Sequence, residues 1–375
     1  MTTTKEFALF GAPPAFDKPI PIGQLYFPSA QRYEAAFRGI FERQYYTEYG
    51  SLNRELEQKL QQFLGVKHAI CVTNETVALM MLANAMELTG KVILPAFNHI
   101  AAAQSLSWAG LEPVFCDVDP DTHQIDINQV SKLIEQDVSA IMGVNLWGGA
   151  CDVKTLEQLA RERKAQLYFD SAHAFGCMVG GVRIGNFGRA EVFSFHQSNI
   201  LNATEGGCIS TNDDELAAKL RVMRSSAGAG NVPATVIKTV NGRMSEAQCA
   251  IALMSLEDFS ANQQNNETLF RCYEAHLAGI LGLRLVKPCG VSYSNYQCVA
   301  FQVNEDEFGM PLDVLIRLLK AENVDARCHS STSFHLPIGA LVSTQSVAKI
   351  CTLLAHVQQS AKEVCERAVS PTKAT

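Results

Sequence analysis

The stretch SFHQSNILNATEGG, residues Ser194 to Gly207, gathers residue types that move protons and hold anions. His196 and Glu205 can serve as acid or base groups, and Ser194 can add a hydroxyl to an anion site. The same residues also suit buried structural roles, each tied into hydrogen bonds. A second polar turn stands in CVTNETVAL, Cys71 to Leu79. There an apolar strand gives way to a helix, so backbone N–H groups around Glu75 and Thr76 can hold a phosphate. An ordinary helix cap by Thr73 or Asn74 uses the same turn. A third lies in YFDSAHAFG, where Asp170 ends an apolar strand and His173 follows three residues on. A carboxylate at that place can pair with a protonated ring nitrogen and keep the ring an electron sink, or it can cap a helix. His99, His123, His329 and His335 show no metal-ligand spacing, so no metal is expected.

These three turns need a frame that brings strand ends together, and the chain has one. SLNRELEQKLQQFLG carries apolar residues at helical spacing and ends in glycine. The short apolar runs AICVT, KVILPAF, EPVFCDV, AIMGVNL, QLYFDSA and EVFSF read as strands, with helical stretches such as DVKTLEQLARERK between several of them. Nearly all-apolar strands alternating with helices imply a mostly parallel sheet covered on both faces. In such sheets the chemistry collects beyond the carboxyl ends of the strands. After DELAAKLRVMRS comes the loop-like SAGAGNVPATV, and a long helix is expected from about Met244. From about residue 280 the texture becomes a smaller α+β unit: LRLVKP, YQCVAFQV, LDVLIRLLKAENVDARCH. The expected division is an N-terminal arm at 1–14, a large α/β domain at 15–255, a small domain at 256–365 and a tail at 366–375, with the boundary falling within 255–285.

Composition narrows the function. The chain has 375 residues, 47% of them hydrophobic, ample for a sizeable core. A net charge of -7 without a basic run argues against nucleic acid or an acidic membrane as partner. Twelve cysteines stand singly, with no C-x-x-C pair. Such thiols fit a reducing compartment. No apolar run reaches the ~18 residues of a membrane span, and the start does not read as a signal peptide. The expectation is a cytoplasmic protein acting on a small molecule.

Taken together, these segments resemble the DegT/DnrJ/EryC1/StrS group of pyridoxal-phosphate enzymes, mostly aminotransferases of nucleotide-linked keto sugars. The resemblance runs along nearly the whole chain: FGAPPAF, YYTEYG, CVTNETVAL, VILPAFNHIAAAQSLSWAGLEPVFCDVDPDT, YFDSAHAFG, the opening segment, NGRMSEAQCAIALMSLE and NYQCVAFQV with LLKAENVDAR. It implies an α/β fold of the PLP-dependent aminotransferase type (fold type I), with a seven-stranded, mostly parallel sheet and a small α+β C-terminal domain. It also implies a homodimer with shared active sites. By position, the Asn74–Glu75–Thr76 turn matches the phosphate cup and Ser194 its hydroxyl. Asp170 matches the carboxylate that meets the pyridine nitrogen. His99 stands where an aromatic ring stacks on the cofactor, and Asn241 where the neighbouring subunit reaches the phosphate. Arg327, His329 and His335 fall on the substrate side.

The chain departs from that pattern at its centre. Asn199 stands at the Schiff-base lysine, and asparagine can neither hold the cofactor covalently nor shuttle its protons. Glu75 replaces a glycine or alanine of the phosphate cup, where a carboxylate repels phosphate unless it is protonated or turned outward. The segment SSAGAG after Arg224 lacks the relatives' aromatic residue, and CHSSTSFH has lost most of theirs. Lys238 is a candidate positive charge near the shared site.

Three readings stand open. One is a repurposed enzyme doing lysine-independent proton transfer, as in the family's sugar 3-dehydratase, where histidine takes the lysine position. Here His196 or His173 would be the base, with PLP or PMP held non-covalently or no cofactor at all. The second is an aminotransferase whose lysine was replaced to trap an intermediate. The third is a non-catalytic homologue acting as a partner subunit.

Overall fold

The computed structural model describes residues 7–47, 49–225 and 238–369. The chain divides into two units. The larger holds Tyr26–Phe259 and Lys287–Asn295; the smaller holds the residues up to Leu25, Ser260–Val286 and those from Tyr296 onward.

In the larger unit α1 (Ala30–Arg43) and α2 (Ser51–Leu64) precede the alternating part. That part runs β1 (His68–Val72), α3 (Glu75–Ala85), β2 (Lys91–Pro95), α4 (Ile100–Trp108), β3 (Glu112–Cys116), α5 (Ile127–Leu133), β4 (Val138–Val144), α6 (Val153–Arg163) and β5 (Gln166–Asp170). The short hairpin β6 (Met178–Val179) and β7 (Val182–Arg183) follows, then β8 (Glu191–Ser194), β9 (Gly207–Thr211), α7 (Asp214–Arg224) and α8 (Glu246–Glu257). Seven strands form one sheet in the order β1-β9-β8-β5-β4-β2-β3. Only β9 runs against its neighbours, pairing antiparallel with both β1 and β8. The expected seven-stranded, mostly parallel sheet is present.

Six of its strands are buried on both faces, as runs such as AICV and VFS require, while the edge strand β3 is largely open. Ile70, Val72, Met142, Tyr168 and Val192 pack on one side with α3 and α7, and Cys71, Phe193 and Cys208 on the other with α2 and α8. Side chains cap the helices that return to the sheet: Asp152 accepts from the Thr155 N–H of α6, and Asp213 from the Leu216 N–H of α7. Glu246, 1% exposed, accepts from the backbone N–H groups of Leu52 and Asn53 and so fixes the start of α2.

The smaller unit contains α9 from Ser260 on (the helix runs Phe259–Leu277), β10 (Leu283–Leu285), β11 (Val299–Val303), α10 (Glu305–Phe308), α11 (Leu312–Ala321), β12 (Arg327–Cys328), β13 (Ser333–Leu336), α12 (Thr344–Gln359) and α13 (Ala361–Val369). Its four strands are antiparallel in the order β10-β11-β13-β12. Phe301, Phe334, Leu315, Leu319 and Ile350 fill its core.

Several details differ from the sequence reading. The N-terminal segment belongs to the smaller unit as far as Leu25: Phe7 is buried, and the Glu322 carboxylate accepts from the backbone N–H groups of Ala8 and Ala15. The expected long helix from Met244 is two helices that break at Asp258, whose carboxylate is tied to Arg32 and Tyr26. Helix α13 continues to Val369, beyond the residue 366 at which a tail was expected. The loop SAGAGNVPATV falls, after Ser225, outside the described residues.

Candidate active site

Strands β1, β2, β5 and β8 point the same way, so their carboxyl ends share one edge of the sheet. That edge carries Asn74–Thr76 after β1, His99 after β2, Asp170 at the end of β5 and Ser194 at the end of β8. The antiparallel β9 enters there at Gly207, so the loop from Phe195 to Gly206 lies at the same edge.

At the first turn, Asn74 caps α3: its Oδ1 accepts from the Val77 N–H at 2.9 Å. The cap reading of Asn74 therefore holds. Glu75 is the first helical residue, and its carboxylate lies close enough to Ser194 and Asp170 to act on both. Two carboxyl groups that close favour one proton held between them, because two anions would repel. Asp170 is 3% exposed, and burial followed by the adjacent Glu75 charge holds its carboxyl well above the ordinary range. Glu75 keeps part of its surface open to solvent, yet the protein around its carboxylate also raises its pKa, against the hydrogen bonds from Ser194 and Asp170. Glu205 adds a like charge to Glu75, while His99 lowers the pKa of Asp170.

Gly207 makes this approach possible. A Cβ there would lie 2.8 Å from the Phe193 carbonyl oxygen, 3.1 Å from the Asn74 carbonyl carbon and 3.2 Å from the Glu75 nitrogen. The missing side chain lets the start of α3 press against β9.

The segment after Ser194 folds tightly. The Asn199 N–H donates to the His196 carbonyl, and the Asn199 side-chain nitrogen donates to the Ser194 carbonyl at 3.2 Å. Asn199 is 5% exposed. His196 Nδ1 accepts from the Ser198 N–H at 3.2 Å and lies 2.8 Å from the Ser198 hydroxyl. An accepting Nδ1 places the ring proton of the neutral form on Nε2, and Nε2 faces Glu205 Oε1 at 3.8 Å. His173 is half-buried, and its carbonyl accepts from the Asn295 side chain.

Other sequence candidates lie elsewhere or make different contacts. His99 is exposed and accepts from the Ala101 N–H through Nδ1 at 3.4 Å, capping α4. Asn241 is exposed and holds Arg243 at 3.1 Å. Within NGRMSE, Met244 and Glu246 are buried inside the protomer, so their burial does not report on an interface. Lys238 donates to Asn84, at the far end of α3 from Glu75. Arg327, His329 and His335 belong to the smaller unit, where His329 Nε2 meets His335 Nδ1 at 3.1 Å. Among the described residues no group of three metal-binding side chains occurs, and no helix is long and apolar enough to cross a membrane.

Sequence reasoning missed a buried chain behind Asp170. Asn145 donates to the Ser171 hydroxyl at 2.9 Å, and Ser171 donates to Glu191, a fully buried carboxyl that also accepts from the Gly185 and Phe187 N–H groups. The available signal was a glutamate opening the otherwise apolar EVFSF.

An open α/β sheet with its polar residues at the strand ends, joined to a small antiparallel unit, is the fold of the PLP-dependent sugar aminotransferases. The chain belongs to the DegT/DnrJ/EryC1/StrS aminotransferase family, whose profile matches residues 29–370. It is 29% identical over 351 residues to a dTDP-4-amino-4,6-dideoxy-D-glucose transaminase of Shigella dysenteriae, covering 93% of this chain and 94% of that one. It is 37% identical over 240 residues to a GDP-perosamine synthase of Caulobacter vibrioides, covering 62% of this chain and 64% of that one. The solved structure of DesI in the presence of its TDP-sugar product superposes with a TM-score of 0.92 at 32% identity, covering 98% of this chain and all of that one.

The residues of this chain do not fit the family's cofactor. The resemblance gives Ser194 to the phosphate and Asp170 to the ring nitrogen, and one Glu75 carboxylate engages both. A phosphate brought to ~4 Å of that carboxylate would meet about 4 kcal/mol of repulsion per pair of unit charges at an effective dielectric of 20. Asn199, in turn, offers no amine.

Proposed function

We propose that this protein performs lysine-independent proton transfer on a small keto or sugar-like biosynthetic intermediate, a dehydration or related rearrangement beside a carbonyl, and does not transfer amino groups. The observation that carries this reading is Asn199, a buried amide whose nitrogen is bound to the Ser194 carbonyl; the resemblance assigns this residue to the position where amino transfer needs a basic amine. The nucleotide-sugar chemistry of the relatives supports a keto sugar as the substrate class.

His196 and Glu205 supply the mobile proton in this reading. Ser198 fixes the imidazole through Nδ1, leaving Nε2, which faces Glu205, as the nitrogen that exchanges with substrate. Asp170 and Glu75 hold a further proton at the strand ends. The resemblance keeps Arg327, His329 and His335 as the candidates for substrate contact. We also propose a homodimer, for which the exposed Asn241 and the half-buried Arg243 offer a polar contact, in a reducing compartment, where single cysteines persist as thiols.

Incubation with a nucleotide-linked keto sugar in heavy water tests this. Deuterium should enter beside the carbonyl, or water should be lost, without any amine donor. The Asn199→Lys variant should not transfer nitrogen from glutamate. Amino transfer by the native protein, or its recovery in that variant, overturns the reading.

A further inference from the structure

We propose that Glu75 is a built-in occupant of the ancestral cofactor site, so that this protein works without pyridoxal phosphate or pyridoxamine phosphate. The inference deepens the proposed function and rests on its premise that the lysine position is vacated for good. Its own support is separate and comes from the turn between β1 and α3.

Glu75 is held where it is by backbone. Asn74 caps α3, the Thr73 N–H donates to the Gly242 carbonyl, and the bare Gly207 lets the turn sit against β9. The first helical side chain then starts from a fixed point at the strand edge. That edge also carries Ser194, at the end of β8, and Asp170, at the end of β5, and the Glu75 carboxylate acts on both. A single side chain therefore lies against the hydroxyl that would meet a phosphate and the carboxyl that would meet a ring nitrogen.

The electrostatics agree. A helix N-terminus attracts an anion, and here the anion is covalently supplied by the chain itself. A phosphate arriving at the same turn meets the charge of a carboxylate. Asp170 shares its proton with Glu75, so it no longer presents the full negative charge that stabilises a protonated ring. Glu205 and His99 also act on this pair, and the buried Tyr168 hydroxyl lies close enough to feel the Asp170 charge. None of these is a primary amine that could condense with an aldehyde.

The test is a titration of pyridoxal phosphate and pyridoxamine phosphate into the native full-length protein, Glu75→Ala and Glu75→Gln, followed by absorbance and by calorimetry. The native protein should bind neither at ~1 mM. Glu75→Ala should bind pyridoxamine phosphate at least ~100-fold more tightly, in competition with inorganic phosphate, with the far-ultraviolet circular dichroism unchanged. Glu75→Gln removes the charge but keeps the bulk, and should recover only part of that gain. Native binding below ~100 μM overturns the proposal, as does a folded Glu75→Ala protein with no gain. Native cofactor binding without amino transfer would sink this inference and leave the proposed function standing. Nitrogen transfer by Asn199→Lys sinks the proposed function, whatever the titration shows.

Discussion

The side-chain nitrogen of Asn199 donates to the backbone carbonyl of Ser194, five residues back, and pins the turn that follows β8 to the end of its own strand. Asn199 thus has a structural task. Asn199→Asp replaces the donor with an acceptor and buries a charge against a carbonyl. It should cost about 1–3 kcal/mol, read as a shift of the urea midpoint at constant slope. A variant as stable as the native protein would show that the bond contributes nothing.

Glu57 and Arg224 form an ion pair whose side chains are 3% and 7% exposed. Glu57 also accepts from the Cys71 N–H, and Arg224 donates to the Cys71 carbonyl at 2.8 Å, so the pair clamps β1 between α2 and α7. Arg224→Ala should lower stability by about 3–5 kcal/mol, because it strands a buried carboxylate. The double change Glu57→Leu with Arg224→Met should be milder than Arg224→Ala alone. Equal losses in the two proteins would contradict this account.

Burial holds the Glu191 carboxyl up, from 4.5 to about 7, against the hydrogen bonds from Ser171, Phe187 and Gly185. Between those values the folded protein binds more protons than the unfolded chain. This group's contribution therefore falls as pH rises from about 4.5 to about 7 and is constant above that. Glu191→Gln keeps an oxygen for the two N–H groups and a polar partner for Ser171. Its stability relative to the native protein should rise by on the order of 3 kcal/mol across the window. Thermal unfolding of both proteins at several pH values gives the difference, and a constant offset would refute the assignment.

Gly207 and Gly65 should respond to alanine for different reasons. At Gly207 the new methyl meets backbone of Phe193, Asn74 and Glu75, so Gly207→Ala should cost about 1–3 kcal/mol and push the Glu75 turn off the strand edge. At Gly65, with φ of +72° closing α2, a Cβ meets nothing within 4 Å. Only the left-handed backbone strain remains there, about 1 kcal/mol. Chemical denaturation ranks the two, and a Gly65→Ala protein weaker than Gly207→Ala reverses the argument.

Much of the larger unit was legible in short apolar runs. KVILPAF, AIMGVNL, QLYFDSA and EVFSF each contain a strand of the sheet, because a strand buried on both faces can carry almost no polar residue. The placing of Asp170 and Ser194 at one edge followed from parallel strands ending alike. The contacts that decide the chemistry were not legible. Glu75 and Asp170 are brought together only by strand order, and no local spacing encodes strand order. Likewise Glu322 gathers the N–H groups of Ala8 and Ala15 from the other end of the chain. Helix α1 was not read, because the alternating pattern starts only after it. The break at Asp258 escaped notice because its reason, a carboxylate tied to Tyr26 and Arg32, is again a distant contact.

The reversed strand β9 sets a timetable for the growing chain. β1 is the last strand on its side of the sheet, and its one partner pairs Ile209 with Ile70. At ~5–20 residues added per second, β9 reaches the ribosome exit roughly 7–30 s after β1. For that interval AICV is an apolar strand with both edges open, the kind of segment that recruits another chain. The nascent protein depends most on a chaperone between the synthesis of β1 and the synthesis of β9, and a truncation that ends before Gly207 would prolong that exposure indefinitely.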